Sequence, residues 1–264
     1  MRRIGSGRTA DIFLQQDGTA LKLFRAGVPA WAVQDEYYNA LAAYRRGIRS
    51  PEPRGIAALL GRRGIVYEYV PGETLLRAMM SGHGFDRNPA RTMAIVHREI
   101  HAQSGEGMRR KQKDVMIRHI RNAADLSAEE KDGIVRRLSE LPDGTSVCHG
   151  DFHPDNIVVG GSVRVIDWMT AVVGSPAADV ARTMLLFAYG TMPEEAPDEA
   201  KAFIERNRKR MKHEYAAQYA ALSGIKPDEV ERWMLPVAAA RLDERIPARE
   251  RSELLQLVRT LLRT

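Results

Sequence analysis

Two stretches of this 264-residue chain combine residue types and spacings that can do chemistry. They are His149-Gly150-Asp151-Phe152-His153-Pro154-Asp155-Asn156 and Val163-Arg164-Val165-Ile166-Asp167-Trp168. Asp151 stands in a loop bounded by Gly and Pro, directly after a short run that reads as a strand. Five residues on is Asn156, which offers only neutral ligands. Eleven residues after that, Asp167 closes a second apolar strand. Loop ends fed by strands are where rigid scaffolds hold reactive groups. Asp, Asn and Asp supply hard oxygen donors, which suit Mg²⁺ and the phosphates it carries rather than zinc. One such carboxylate would read as a turn cap or Asx-turn. Three oxygen-bearing side chains at this spacing argue for a site.

The constellation resembles the signature of the aminoglycoside phosphotransferase / choline kinase family. That signature is His-Gly-Asp, four intervening residues and Asn, then a strand ending in Ile-Asp-Trp or Ile-Asp-Phe. The resemblance spans nearly the whole chain, because weaker matches occur in order on both sides. It implies an α+β, protein-kinase-like fold with two lobes: a small antiparallel sheet with one helix, then a larger, mostly helical part. It further implies an ATP-dependent phosphotransferase that moves the γ-phosphate to a hydroxyl of a small molecule. ATP and Mg²⁺ are the implied cofactors, bound between the lobes. Asp151 then takes the role of catalytic base, and Asn156 and Asp167 those of Mg²⁺ ligands. Catalysis in this class is mostly positioning and charge neutralisation.

Upstream, Gly5-Ser6-Gly7-Arg8-Thr9-Ala10-Asp11-Ile12 resembles a kinase Gly-rich loop, with Ala10 in place of the third glycine. Glycines let a hairpin backbone approach phosphates and present N–H donors. No Gly-Lys-Ser/Thr follows, so it is not a Walker A sequence. Lys22 lies where the resemblance expects the lysine that contacts the α- and β-phosphates. Glu36, on the following helix, matches its glutamate partner; adjacent Asp35 would point about 100° away around the helix. Tyr67-Glu68-Tyr69-Val70-Pro71-Gly72 resembles the hinge, where the backbone of Glu68 and Val70 would hold the adenine edge.

Other residues read as structural. His149 is expected to anchor the loop, and His153 to bond within it or touch substrate. Asp155 departs from the small residue relatives often carry there. His97 and His101 are four apart on a helix, a spacing that can bind metal, but no His-Glu-x-x-His glutamate accompanies them. Asp179 matches the family's aspartate that braces the catalytic loop from a helix start. Cys148, the one cysteine, reads as a buried strand residue.

The elements that must position these groups follow from turn and cap signals. Strands are expected near 3–4, 11–15 and 19–24, with Asp17-Gly18 as a hairpin turn. A helix from Pro29 to about Arg46 is closed by Gly47. Strands at 54–60 and 64–69 follow, joined at Gly61-Arg62-Arg63-Gly64. Pro71-Gly72 breaks the chain, giving a nucleotide-binding lobe over 1–70 and a helical lobe over 71–264. Helices are expected at 74–80, 90–103, 114–123 and 128–140, the last with a Ser127/Glu130 capping box. Short strands at 146–149, 156–159 and 162–167 interrupt them. After Ser175-Pro176 the chain reads as helical nearly to its end.

Composition narrows the alternatives. With 44% hydrophobic and 28% charged residues the chain reads as an ordinary globular protein. No apolar run is long enough for a membrane helix, and no apolar segment follows Arg2-Arg3 as in a signal peptide. A cytoplasmic monomer or weak dimer is the expectation. The +6 charge is concentrated early: residues 1–70 carry 11 Lys+Arg and 6 Asp+Glu. These arginines are scattered and aromatics make up only 6%, which argues against nucleic acid. A metal-dependent phosphoesterase using His149, Asp151 and His153 lacks further His-rich ligands downstream. A non-catalytic pseudokinase would have lost the lysine, base or metal aspartate, and all are present. A protein kinase would show Phe-Gly after Asp167 and an Ala-Pro-Glu segment. The acceptor stays open among aminoglycoside-, choline- and sugar-like alcohols. Glu194, Glu195, Asp198 and Glu199 form an acidic patch that suits a polycation or simply starts a helix.

Overall fold

A computed structural model describes residues 1–82, 88–192 and 196–264. Glu194 and Glu195 lie outside the described residues. The chain divides into two compact units, Met1–Phe85 with Pro154–Ala171, and Asp86–His153 with Val172–Thr264.

The first unit begins with strands β1 (Arg2–Ser6), β2 (Ala10–Leu14) and β3 (Thr19–Phe24). Helix α1 (Ala30–Arg45) follows, then β4 (Pro53–Leu59) and β5 (Arg62–Glu68). They form one antiparallel sheet in the order β1-β2-β3-β5-β4. Lys22 therefore sits on the central strand, opposite Ile12 on one side and Ile65 on the other. Ala10, Phe24, Val33 and Ile65 form the core under this sheet, with Val28, Tyr37, Tyr67 and Met169 packed against it. Burying each large apolar side chain contributes about 1.5–3 kcal/mol. Gly47, at φ +73°, ends α1 in the left-handed conformation expected of it.

The β4–β5 connection is tighter than the Gly61–Gly64 turn read from the sequence. Leu60 and Gly61 alone make it, both with positive φ (50° and 72°), so Arg62 and Arg63 enter the strand. Two left-handed residues give the primed turn whose twist matches its strands.

The first unit continues past Pro71-Gly72. Strand β6 (Gly72–Thr74) leads into α2 (Leu75–Ser81), capped by the Thr74 hydroxyl on the Arg77 amide. β6 pairs with β8 (Ile157–Gly160), which pairs with β9 (Arg164–Val165). That sheet explains why 71–82 and 154–171 stay with the first unit, whereas the sequence places a break at Pro71-Gly72.

In the second unit are α3 (Pro89–His101), α4 (Gln112–Asn122) and α5 (Ala128–Glu140), the last with both hydrogen bonds of the Ser127/Glu130 capping box. β7 (Ser146–Cys148) pairs with β10 (Val172–Gly174). α6 (Pro176–Tyr189), α7 (Asp198–Ser223), α8 (Pro227–Glu231), α9 (Met234–Arg241) and α10 (Ala248–Arg263) complete it. Cys148 is buried on β7. Among the described residues no helix is long and apolar enough to cross a membrane.

Candidate active site

In the first unit the structure brings Lys22, Glu36 and Asp167 together. Lys22 Nζ donates to Glu36 Oε1 at 2.6 Å and to Asp167 Oδ1 at 3.1 Å. Tyr67 OH also donates to Glu36 Oε1, at 3.2 Å. Asp35, the sequence rival, is absent from this cluster; the helical turn gives the inward position to Glu36, which is fully buried. Burial disfavours the Lys22 ammonium, but the Glu36 and Asp167 carboxylates outweigh it and hold its pKa above the ordinary lysine value. Burial pushes Glu36 up to about 7, against the pull of Lys22. The positive charge stays on Lys22, facing two acids. Of these, Asp167 is the open one: its side chain is 38% exposed, that of Glu36 1%.

Asp167 is held in place at a cost. Its φ of 67° and ψ of 66° lie in the left-handed region, which only Leu60 shares among the described non-glycine residues. Leu60 sits in an exposed turn; Asp167 sits at a cluster of charged groups. Strained backbone of this kind persists where the surroundings over-determine it, and it clusters at functional sites. The surroundings here are specific. Asn39 Nδ2, buried on α1, donates to Trp168 O (3.0 Å) and Ala171 O (3.3 Å), clamping the turn after Asp167. Trp168, almost fully buried, donates its indole N–H to Val165 O at 3.2 Å.

Asn156 lies in a single helical turn, Pro154–Asn156, just before β8. Ile157 faces Val165, and the Ile166 amide donates to Asn156 O at 3.0 Å. Asn156 and Asp167 therefore stand at one end of the β8–β9 hairpin. An amide oxygen and a carboxylate beside an ammonium are a donor set that fits Mg²⁺ and phosphate oxygens.

Gly5 and Ser6 end β1, and Gly7 opens the turn into β2. Ser6 Oγ donates to Asp11 Oδ1 at 2.8 Å, and Arg25 donates to Ser6 Oγ and Gly7 O. Neither Gly5 nor Gly7 needs a positive φ, and an added Cβ would meet nothing closer than 3.5 Å and 3.7 Å. The backbone conformation and packing at these two positions therefore leave room for a side chain. At the hinge-like segment the Glu68 amide donates to Glu52 O at 2.8 Å. Val70 lies two residues past the end of β5.

In the second unit the loop after β7 is gripped from α6. Asp179, Arg182 and Thr183 are spaced i, i+3, i+4, which puts them on one helix face. Together they hold four consecutive loop residues. Asp179 accepts from the His149 amide (2.6 Å, Oδ2) and the Gly150 amide (2.8 Å, Oδ1). Arg182 Nη2 reaches Asp151 Oδ1 at 3.4 Å, and Thr183 Oγ1 donates to Phe152 O at 2.9 Å. Gly150 turns the chain at φ +78°, and His149 Nδ1 accepts from the Asp151 amide at 3.3 Å. His149 is thus an anchor, as its sequence context suggests. His153 Nε2 stands 3.5 Å from Asp151 Oδ2. Burial favours a protonated Asp151, but His153, Arg182 and Arg241 outweigh it and keep the carboxyl well below the ordinary range.

Asp179 is itself held by two histidines. His97 Nε2 and His101 Nε2 both lie 3.1 Å from its Oδ2, and their Nδ1 atoms lie 2.6 Å from Tyr215 OH and Tyr219 OH. A carboxylate only accepts, so each ring presents Nε2–H to it and accepts from a tyrosine through Nδ1. Burial, then the neighbouring His101, lowers His97 to about 3. The ligand atoms of His97, His101 and Asp179 lie within 4.8 Å of one another. Every one already has a hydrogen-bond partner, so the cluster reads as a brace rather than a metal centre. The tyrosines escaped the sequence reading, although their four-residue spacing on α7 mirrors that of the histidines on α3.

A sequence model of the phosphotransferase enzyme family (APH) matches residues 1–221. No curated protein matches the chain significantly. Among solved structures, aminoglycoside-3'-phosphotransferase of type VIII is similar at 18% identity and TM-score 0.57, covering 90% of this chain and 91% of its own. Aminoglycoside phosphotransferase APH(3'')-Id from Streptomyces rimosus, in complex with ADP and streptomycin, is similar at 17% and 0.56, covering 87% and 90%. ADP-bound aminoglycoside phosphotransferase APH(2'')-Ib is similar at 16% and 0.59, covering 97% and 91%. These likenesses establish the protein-kinase-like fold. With its sheet-borne lysine, its His-Gly-Asp loop and that fold, the chain belongs to the phosphotransferase enzyme family, whose members transfer a phosphoryl group to an alcohol.

Proposed function

We propose that the protein is an ATP-dependent kinase of a small-molecule alcohol. The observation that carries this reading is the convergence of Lys22, Glu36 and Asp167 around one buried ammonium. Glu36 fixes Lys22, and Lys22 pairs with phosphate oxygens. Asn156 and Asp167 hold Mg²⁺, which when bound neutralises the charge of the triphosphate. Gly5, Ser6 and Gly7 offer backbone close to phosphates, and the Glu68 carbonyl and Val70 amide hold the adenine edge. Asp151 keeps its carboxylate ionised and orients the acceptor hydroxyl, taking its proton as the acceptor oxygen bonds to the γ-phosphorus and the bond from that phosphorus to the bridging oxygen breaks, releasing ADP.

The ADP and streptomycin bound by the Streptomyces rimosus enzyme favour ATP as donor and a polyhydroxylated acceptor of the aminoglycoside class. Choline- and sugar-like alcohols remain in the same reaction class. The phosphoesterase alternative needs His149 as a ligand, and that ring is fully buried with Nδ1 engaged by the Asp151 amide.

A panel of aminoglycosides, sugars and amino alcohols, assayed for ADP formation with ATP–Mg²⁺, tests this reading. At least one acceptor should raise turnover, and Asp151→Asn should lower it by about 10²–10⁴-fold. Normal turnover in Asp151→Asn would remove Asp151 as the base.

A further inference from the structure

We infer that Arg182 is a positioning residue for Asp151, and that Glu244, Arg241 and Glu250 form a row of alternating charges that holds Arg182 in place. The inference rests on the reading of Asp151 as the group that meets the acceptor hydroxyl. Asp151 has a partner on each oxygen: Arg182 Nη2 at 3.4 Å from Oδ1, and His153 Nε2 at 3.5 Å from Oδ2. Both contacts are long, and of the two groups it is Arg182 that a further carboxylate backs, so the stiffness of the arginine bears on how well Asp151 is aimed.

That stiffness comes from behind. Glu244 takes Arg182 in a fork, Nη1 to Oε1 at 2.6 Å and Nη2 to Oε2 at 3.1 Å. This planar, two-point grip is one a lysine cannot reproduce. Arg241 Nη1 grips Glu244 Oε2 from the other side at 2.6 Å. Glu250, on α10, accepts from Arg241 at 2.7 Å and also takes the amide and hydroxyl of Thr191, each at 2.9 Å. The row runs Asp151, Arg182, Glu244, Arg241, Glu250 with signs alternating throughout. Its members are largely withdrawn from water; the Arg182 side chain is 12% exposed. The charges alternate and each faces an opposite one, although Arg182 Nε is buried without a hydrogen-bond partner, and removing one member of a largely buried row is costly. A purely structural ion cluster would have no reason to end on the loop aspartate. This one does, from the helix face whose neighbours Asp179 and Thr183 hold the same loop.

The test uses the full-length protein, ATP–Mg²⁺ and whichever acceptor of the panel, water included, turns over fastest. Arg182→Met should lower kcat by about 10–100-fold, the usual cost of losing a partner that orients a reacting group. KM for ATP and the affinity for ATP–Mg²⁺ should stay unchanged. Arg182→Lys should fall in between. Glu244→Gln, which does not touch Asp151, should lower kcat in the same direction. Arg182→Met/Glu244→Gln should be no slower than Arg182→Met alone, because both act through one contact. The double variant also keeps the row balanced in charge, so it reports if the single variant fails to fold. Wild-type kcat in Arg182→Met or in the double variant, with Asp151→Asn inactive, would overturn this inference alone. Full turnover in Asp151→Asn, or no turnover by the wild type on any acceptor, would instead overturn the reading on which it rests.

Discussion

Lys22 Nζ lies 2.6 Å from Glu36 Oε1, and the two residues sit on different elements, the central strand β3 and the helix α1. A lysine alone on a strand faces solvent more often than not. Here Glu36 withdraws it to 8% exposure and aims it at Asp167.

Glu36→Gln should therefore leave the sheet intact and damage nucleotide handling. The amide can still accept from Lys22 but no longer balances its charge. A charge-assisted hydrogen bond is worth about 1.5–3 kcal/mol, so kcat/KM for ATP should fall by about 10–100-fold. Lys22→Met should fall at least as far. Steady-state kinetics with varied ATP checks both; a variant with unchanged kcat/KM would contradict the role of the pair.

The turn at Gly150 makes a second prediction. Its φ of +78° suits glycine, and an L-residue there costs about 1–2 kcal/mol. Gly150→Ala should lower stability by that amount in urea unfolding. It should also slow turnover, because the Gly150 amide is one of the two donors that Asp179 uses to seat the loop. Loss of stability without loss of turnover would separate the turn from the catalytic loop.

A third prediction concerns acid. His97 takes a proton near pH 3 when folded and near 6.5 when unfolded. Between those values the unfolded chain binds the extra proton, so acidification favours unfolding, and the stability due to neutral His97 is lost as pH falls from about 6.5 towards 3. One such proton gives a slope of about 1.4 kcal/mol per pH unit. His97→Gln keeps a donor to Asp179 and removes that titration. The difference in unfolding free energy between wild type and His97→Gln should shrink with falling pH across this window. A difference that is flat in pH would contradict the neutral, buried imidazole.

The loop from His149 to Asn156 and the strand ending at Asp167 were legible because each is local. A short segment with Gly, Pro and ligand-bearing side chains states its own geometry. Lys22 and Glu36 were legible through order along the chain and the 100° turn of a helix. The Arg182 row was not: its links join residues 31 and 62 positions apart, and no spacing rule connects them. Its local traces are the i, i+3, i+4 set of polar residues on α6 and the i, i+3 pair Arg241–Glu244, and neither says what the other meets. The strands β6 and β10 were missed because three residues carry no periodicity; their partners make them strands. The Leu60-Gly61 turn was missed because leucine is not a residue that asks for positive φ.

In the proposed function Asp167, strained and facing Lys22, belongs to a nucleotide–metal site. Asp167→Asn is the direct probe, since asparagine tolerates the same left-handed backbone and keeps the side chain's size. Titration of ATP into the protein by calorimetry, with and without Mg²⁺, is the measurement. The wild type should bind ATP more tightly with Mg²⁺ than without, and Asp167→Asn should lose that Mg²⁺ dependence while keeping its fold. Equal ATP affinity with and without Mg²⁺ in the wild type, or an unchanged Mg²⁺ dependence in Asp167→Asn, would contradict the account.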